Sequence, residues 1–99
     1  MKKKQAEAVS TVREYEHENT EARYKYSLFR INSNRVASYG LPLYSIRIEM
    51  WTHDGRHTEA ETGEIFADLG KATVFFERLC KNLATPLNLA YILEDSIMI

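Results

Sequence analysis

Tyr44, Ile46, Ile48 and Met50 alternate with Ser45, Arg47, Glu49 and Trp51, the cleanest period of two in the chain. Successive side chains of a strand point to opposite faces, so the pattern predicts a strand that buries one side and sits centrally in a sheet. Upstream, Ala22, Tyr24, Tyr26 and Leu28 alternate with Arg23, Lys25 and Ser27, which predicts a second half-buried strand over 22–32. Phe29 and Ile31 then become the apolar members, so the phase switches near Leu28, as a bulge or a strongly twisted end allows. Val9, Thr11, Arg13, Tyr15 and His17, set against Ser10, Val12, Glu14 and Glu16, predict a polar edge strand, with a frayed helix as the alternative. The polar, Asn-containing run His17-Glu18-Asn19-Thr20-Glu21 suits a hairpin link between these two strands.

Asn32-Ser33-Asn34 is turn chemistry, and Tyr39-Gly40-Leu41-Pro42 is a second break, so residues 32–42 are expected to connect strands. Asp54-Gly55 supplies the positive φ that a two-residue hairpin needs, after which His57, Glu59 and Glu61 on one side, and Thr58, Ala60 and Thr62 on the other, return antiparallel. Gly63 marks a bulge or the strand end. Asp68 is a helix N-cap by chemistry, and Leu69, Ala72, Phe76, Leu79, Cys80 and Leu83 recur at spacings of three and four behind it. Glu77 and Lys81 are an i,i+4 pair on the other side of that helix. Thr85-Pro86 restarts the chain as cap and N1 proline, predicting a shorter helix from about Pro86 to Asp95 that buries Leu89, Ala90, Leu93 and Ile97. No helix intervenes between strands, so the fold class is α+β: an antiparallel four-stranded meander, three-stranded if the first segment does not pair, with two C-terminal helices on one face. Residues 1–21 form a weakly ordered segment or edge strand, and 22–99 a single domain.

Composition narrows the function without naming it. Hydrophobic residues are 44% and charged residues 27% of 99, which excludes wholesale disorder and fibrous repeats. Thirteen Lys and Arg against 14 Asp and Glu give a formal charge of -1, so no large positive field is available to hold nucleic acid. Cys80 is the sole cysteine, so no internal disulfide forms, and a reducing cytoplasm is the expected compartment. Met1-Lys2-Lys3-Lys4 imitates the basic start of an export signal, but Gln5, Glu7, Arg13, Glu14 and Glu16 occupy the place of its apolar stretch. No apolar run approaches membrane-spanning length, so a soluble protein with no membrane partner is expected.

Tyr44-Ser45-Ile46-Arg47-Ile48-Glu49, Thr85-Pro86-Leu87-Asn88-Leu89 and Ile92-Leu93-Glu94-Asp95 carry a resemblance. Over about residues 40–96 the chain resembles a family of short bacterial cytosolic proteins, found mainly in Gram-positive anaerobes and catalogued as a domain of unknown function. The resemblance implies a fold and a compartment, and no activity.

His53-Asp54-Gly55-Arg56-His57 gathers two imidazoles, a carboxylate and a guanidinium. A two-residue turn at Asp54-Gly55 pairs His53 with Arg56 and Thr52 with His57, which sends the imidazoles to opposite faces and denies them a shared metal; a three-residue loop would put them on one side, but it usually wants Gly at its third position, where this reading sets Arg56. Glu59, Glu61, Glu64 and Asp68 read as solvated carboxylates rather than an acid/base pair, with Glu59 and Glu61 opposing Arg47, and Arg23 or Lys25 if those strands adjoin. Arg23-Tyr24-Lys25-Tyr26 interleaves cations and rings as single-strand nucleic-acid binders do, but alternation turns Tyr24 and Tyr26 away from Arg23 and Lys25. Cys80 lies on the apolar stripe and reads as an inert core thiol. Glu94 and Asp95 at a helix C-terminus, and the apolar ending Ile97-Met98-Ile99, are secondary candidates for partner contact.

Trp51 and Leu43 fall out of phase with the buried side of their strand, on a sheet face that no helix covers. Leu43, Arg47, Trp51, Arg23 and Lys25 are therefore the candidate interaction surface. A small, non-enzymatic module for protein contact is expected, with an unidentified protein or a second copy as partner. No residue is assigned to catalysis, a cofactor or a metal. A weak single-stranded nucleic-acid binder using Arg23, Lys25, Arg30 and Lys2–Lys4 is the alternative, and a small enzyme or metal site at the His53–His57 hairpin a further one.

Overall fold

Strands form where β-branched and aromatic residues alternate with polar ones, and the chain does this four times before its first helix. The computed structural model describes residues 8–32 and 41–97, with side chains described over 9–32 and 41–93. Four strands, β1 (Ala8–Glu18), β2 (Ala22–Asn32), β3 (Leu43–Thr52) and β4 (His57–Glu61), precede helices α1 (Leu69–Lys81) and α2 (Pro86–Ile97). The sheet order is β1-β2-β3-β4 with every pairing antiparallel, the meander expected of an α+β chain without crossovers. Turn residues 33–40, Lys2–Lys4 and the side chains of Glu94, Asp95, Ile97, Met98 and Ile99 lie outside the described residues.

One face of the sheet makes the core. Tyr24, Tyr26 and Leu28 of β2 and Tyr44, Ile46 and Ile48 of β3 are buried against Ala72, Phe75, Phe76 and Leu79 of α1 and Leu89 of α2. The Tyr26 hydroxyl donates to the Ala84 carbonyl at 2.8 Å, so the polar end of a buried ring is satisfied by the corner between the helices. The helices are capped as their sequences require. Asp68 accepts from the Lys71 N–H at 3.1 Å, while Thr85 Oγ1 accepts from the Asn88 N–H at 3.1 Å and Asn88 Oδ1 from the Thr85 N–H at 3.2 Å. Asp68→Ala should cost about 1 kcal/mol, read as a lowered midpoint in urea unfolding.

Several sequence expectations are corrected in detail. β2 pairs with β3 without interruption, and the extra residue is Val12 of β1, where the register shifts between Thr11 and Arg13. The bulge thus sits opposite the Leu28–Phe29 phase switch, on the edge strand, where an unpaired residue leaves the two central strands in register. It also splits the β1 residues grouped together by parity: Val9 and Thr11 share the open face, whereas Tyr15 turns to the helix side, with its ring 6.1 Å from that of Tyr26. In α1, Leu69 is 44% exposed and Phe75 is buried in its place, because the buried stripe centres on Ala72, Phe76 and Leu79. In α2, Ala90 is exposed, while Ile92 joins Leu93 in packing on the core. Glu77 bonds across to Arg13 of β1 at 2.8 Å.

The hairpin joining β3 and β4 also differs. Gly55 N–H donates to the Thr52 carbonyl at 3.0 Å and Thr52 N–H to the Arg56 carbonyl at 2.9 Å, so the loop is His53-Asp54-Gly55, three residues long. Gly55 holds φ 95° at the third position, the one that requires left-handed backbone. The register moves by one: Trp51, not Thr52, lies opposite His57.

Candidate functional site

The sheet face away from the helices is laid out by this register. Reading across the strands, Val9, Ile31 and Leu43 form an apolar row, followed by Thr11, Phe29 and Ser45. Three charged rows follow: Glu14, Ser27, Arg47 and Glu61; then Glu16, Lys25, Glu49 and Glu59; then Glu18, Arg23, Trp51 and His57. The five residues singled out from the sequence, Leu43, Arg47, Trp51, Arg23 and Lys25, all belong to this face, on its two inner strands. Acidic side chains dominate the outer strands, and the cations occupy the middle.

Each inner cation is held. Lys25 Nζ lies 3.6 Å from Glu14, and Arg47 Nη1 lies 3.5 Å from Glu61. The Arg23 guanidinium sits 4.6 Å over the Trp51 ring, and that of Arg47 4.9 Å over Phe29. Ile31 is buried on this face, and so are Ser27 and Ser45. Their hydroxyls and Arg47 Nε have no hydrogen-bond partner, an arrangement that costs about 1–3 kcal/mol for each buried group left unpaired.

His57 is the residue that the expected two-residue turn misplaced. Its ring stacks on Trp51 with centroids 4.9 Å apart, and its Nε2 lies 3.5 Å from Glu49 Oε2 and 3.9 Å from Glu59 Oε1. Sequence reading weighed His57 with His53 and Glu59 with Glu61, and missed the trio. Only the Trp51–His57 pairing reveals it, and Gly55 at the third loop position was the available signal. His53 lies elsewhere, with Nε2 3.1 Å from the Asn19 carbonyl.

The remaining candidates resolve by placement. Tyr24 and Tyr26 are buried on the helix side, opposite Arg23 and Lys25, so these two rings offer no surface to stacked bases. Asp68 serves as the α1 cap, Glu61 pairs with Arg47, and Asp54 accepts from the Thr52 hydroxyl, which holds the Asp54 carboxyl below the usual range.

Cys80 is half-buried beside a groove of about 280 Å³ that it lines with Arg13, Tyr15 and Glu77. Burial pushes its thiol up to about 11, so the reactive thiolate is scarce at neutral pH. Tyr26 is shifted upward for the same reason. Groups raised in the folded state favour folding below their ordinary pKa and lose that contribution as pH climbs through the folded value. The urea midpoint should therefore fall as pH rises from the ordinary thiol value of 9.0 to about 11, with Tyr26 adding to the loss further up.

Comparison with known proteins bears on the whole chain. A family described as a family of unknown function (DUF6514) matches residues 5–98. The chain belongs to DUF6514. The match takes in all six elements, including β1, beyond the 40–96 stretch on which the sequence resemblance rested. No curated protein and no solved structure matches the chain. Membership of DUF6514 carries no activity to the open face, whose chemistry has to be read from its own residues. Among the described residues, no helix is long and apolar enough to cross a membrane.

Proposed function

We propose that this chain is a non-enzymatic protein-contact module that homodimerises through its open sheet face. The observation that carries the reading is that the two inner strands complement each other under a two-fold axis laid along them. Two sheets packed face to face in that way set β2 of one copy over β3 of the other. Leu43 then comes over Ile31, which is 8% exposed within one chain, Lys25 meets Glu49 and Arg23 meets Trp51, and each placement occurs twice, because these residues already lie opposite one another within one sheet. Arg47 comes over Ser27, offering guanidinium donors to a hydroxyl that lacks a partner.

The outer strands bring Glu14 over Glu61 and Glu16 over Glu59. These acids lie at the solvated rim, where screening is effective and Lys25 and Arg47 already hold two of them. Four strands about 4.8 Å apart and five rows deep present roughly 600 Å² per copy, at the lower end of what a specific dimer buries. A bacterial cytosolic setting accords with a single cysteine kept as a poorly reactive thiol.

Size-exclusion chromatography with light scattering at high micromolar concentration tests the reading. The expected mass is twice the chain's 11.5 kDa, and a monomer at that concentration overturns the dimer.

A further inference from the structure

We infer that Glu49, His57 and Glu59 form a binding site for a divalent cation of the zinc class, with the fourth coordination position open to water. The site uses residues of one chain only and belongs to the single chain: in the proposed dimer Lys25 and Glu16 of a second copy come over Glu49 and Glu59, so the ion and the second copy compete for this face. One donor atom from each of the three residues lies within 4.8 Å of the other two. In a tetrahedral zinc site with bonds of about 2.0–2.2 Å, neighbouring ligand atoms stand about 3.3–3.6 Å apart. His57 Nε2 is 3.5 Å from Glu49 Oε2 and 3.9 Å from Glu59 Oε1, so small side-chain adjustments complete the set.

Two features show that the trio is held in place. Trp51 stacks on the His57 ring at an interplanar angle of 25°, fixing the direction of its nitrogen. Arg47 Nε, 3.9 Å from Glu49 Oε1 and too far to hydrogen-bond, sets its positive charge beside the oxygen not turned to His57 and attracts the carboxylate from that side. Glu49 and Glu59 are also directly opposite across the β3–β4 ladder, a like-charge placement that destabilises a sheet and that a cation between them relieves. One imidazole with two carboxylates favours zinc over magnesium or calcium, which take oxygen-only shells. His57 and Glu59 are exposed, which leaves room for entry and for water.

The test is titration of the full chain with Zn²⁺ alone at low micromolar concentration, where light scattering gives the mass of a single chain, by competition against a chromophoric chelator and with Trp51 fluorescence as a second readout. One ion per chain is expected, with a change in Trp51 emission on binding. His57→Gln and Glu59→Gln should each weaken binding by at least about tenfold while the circular dichroism spectrum is kept, and His53→Gln should leave it unchanged. Both ligand variants lie at exposed positions, so loss of fold in one leaves the other to decide. Zn²⁺ affinity within twofold of the parent in a folded ligand variant, or no binding by the parent, overturns the site.

Discussion

Phe76→Ala should lower the unfolding free energy by about 3–5 kcal/mol, a large part of the roughly 5–15 kcal/mol that holds a domain of this size together. Phe76 is 2% exposed and packs in the cluster that joins α1 to the inner face of β2 and β3. Truncation removes the ring's transfer free energy and leaves a cavity beneath the Arg13 guanidinium, 5.7 Å above the ring centroid. Val74, on the opposite side of the same helix and 62% exposed, is the control: Val74→Ala should change stability by less than about 0.5 kcal/mol. Urea unfolding followed by circular dichroism measures both. A Phe76→Ala cost below about 1 kcal/mol would mean that α1 does not roof the sheet as described.

The second large effect concerns the open face. Leu43→Asp puts a carboxylate where Ile31 of a second copy is expected, and the two-fold axis repeats the insult. Interface centres of this kind carry about 2–4 kcal/mol per residue, so dimer affinity should fall by about thirtyfold or more. Trp51→Ala should act in the same direction by removing the surface on which Arg23 lies. Both side chains point away from the core, so the monomer should keep its fold, and sedimentation equilibrium on the folded variants separates lost association from lost structure. Unchanged association in Leu43→Asp would place the contact elsewhere.

The sorting of side chains by period was legible wherever one face is buried and the other is not. Tyr44 to Met50 and Ala22 to Leu28 kept the parity read from the chain because a slip of one residue would turn Ile46 and Ile48 into solvent. In β1 parity failed: from Val9 to Glu16 the strand is exposed, no buried face pins it, and the unpaired Val12 reverses the sides of everything after it. The helix stripe failed by one neighbour, Phe75 for Leu69, because both lie within the arc that helical spacing allows and only the sheet beneath decides between them. The site was half legible for the same kind of reason. Leu43, Trp51, Arg23, Lys25 and Arg47 followed from strand parity, whereas Glu49, His57 and Glu59 required the register across the hairpin, which turns on whether Gly55 is the second or the third loop residue.

Emission from Trp51, the single tryptophan, recorded with light-scattering mass as the protein is diluted from high to low micromolar, tests the two-sided sheet most directly. A red shift that tracks a fall in mass from twice 11.5 kDa to 11.5 kDa is the predicted result, because the ring leaves a second copy and meets water. A constant emission maximum with a mass of 11.5 kDa throughout would contradict it.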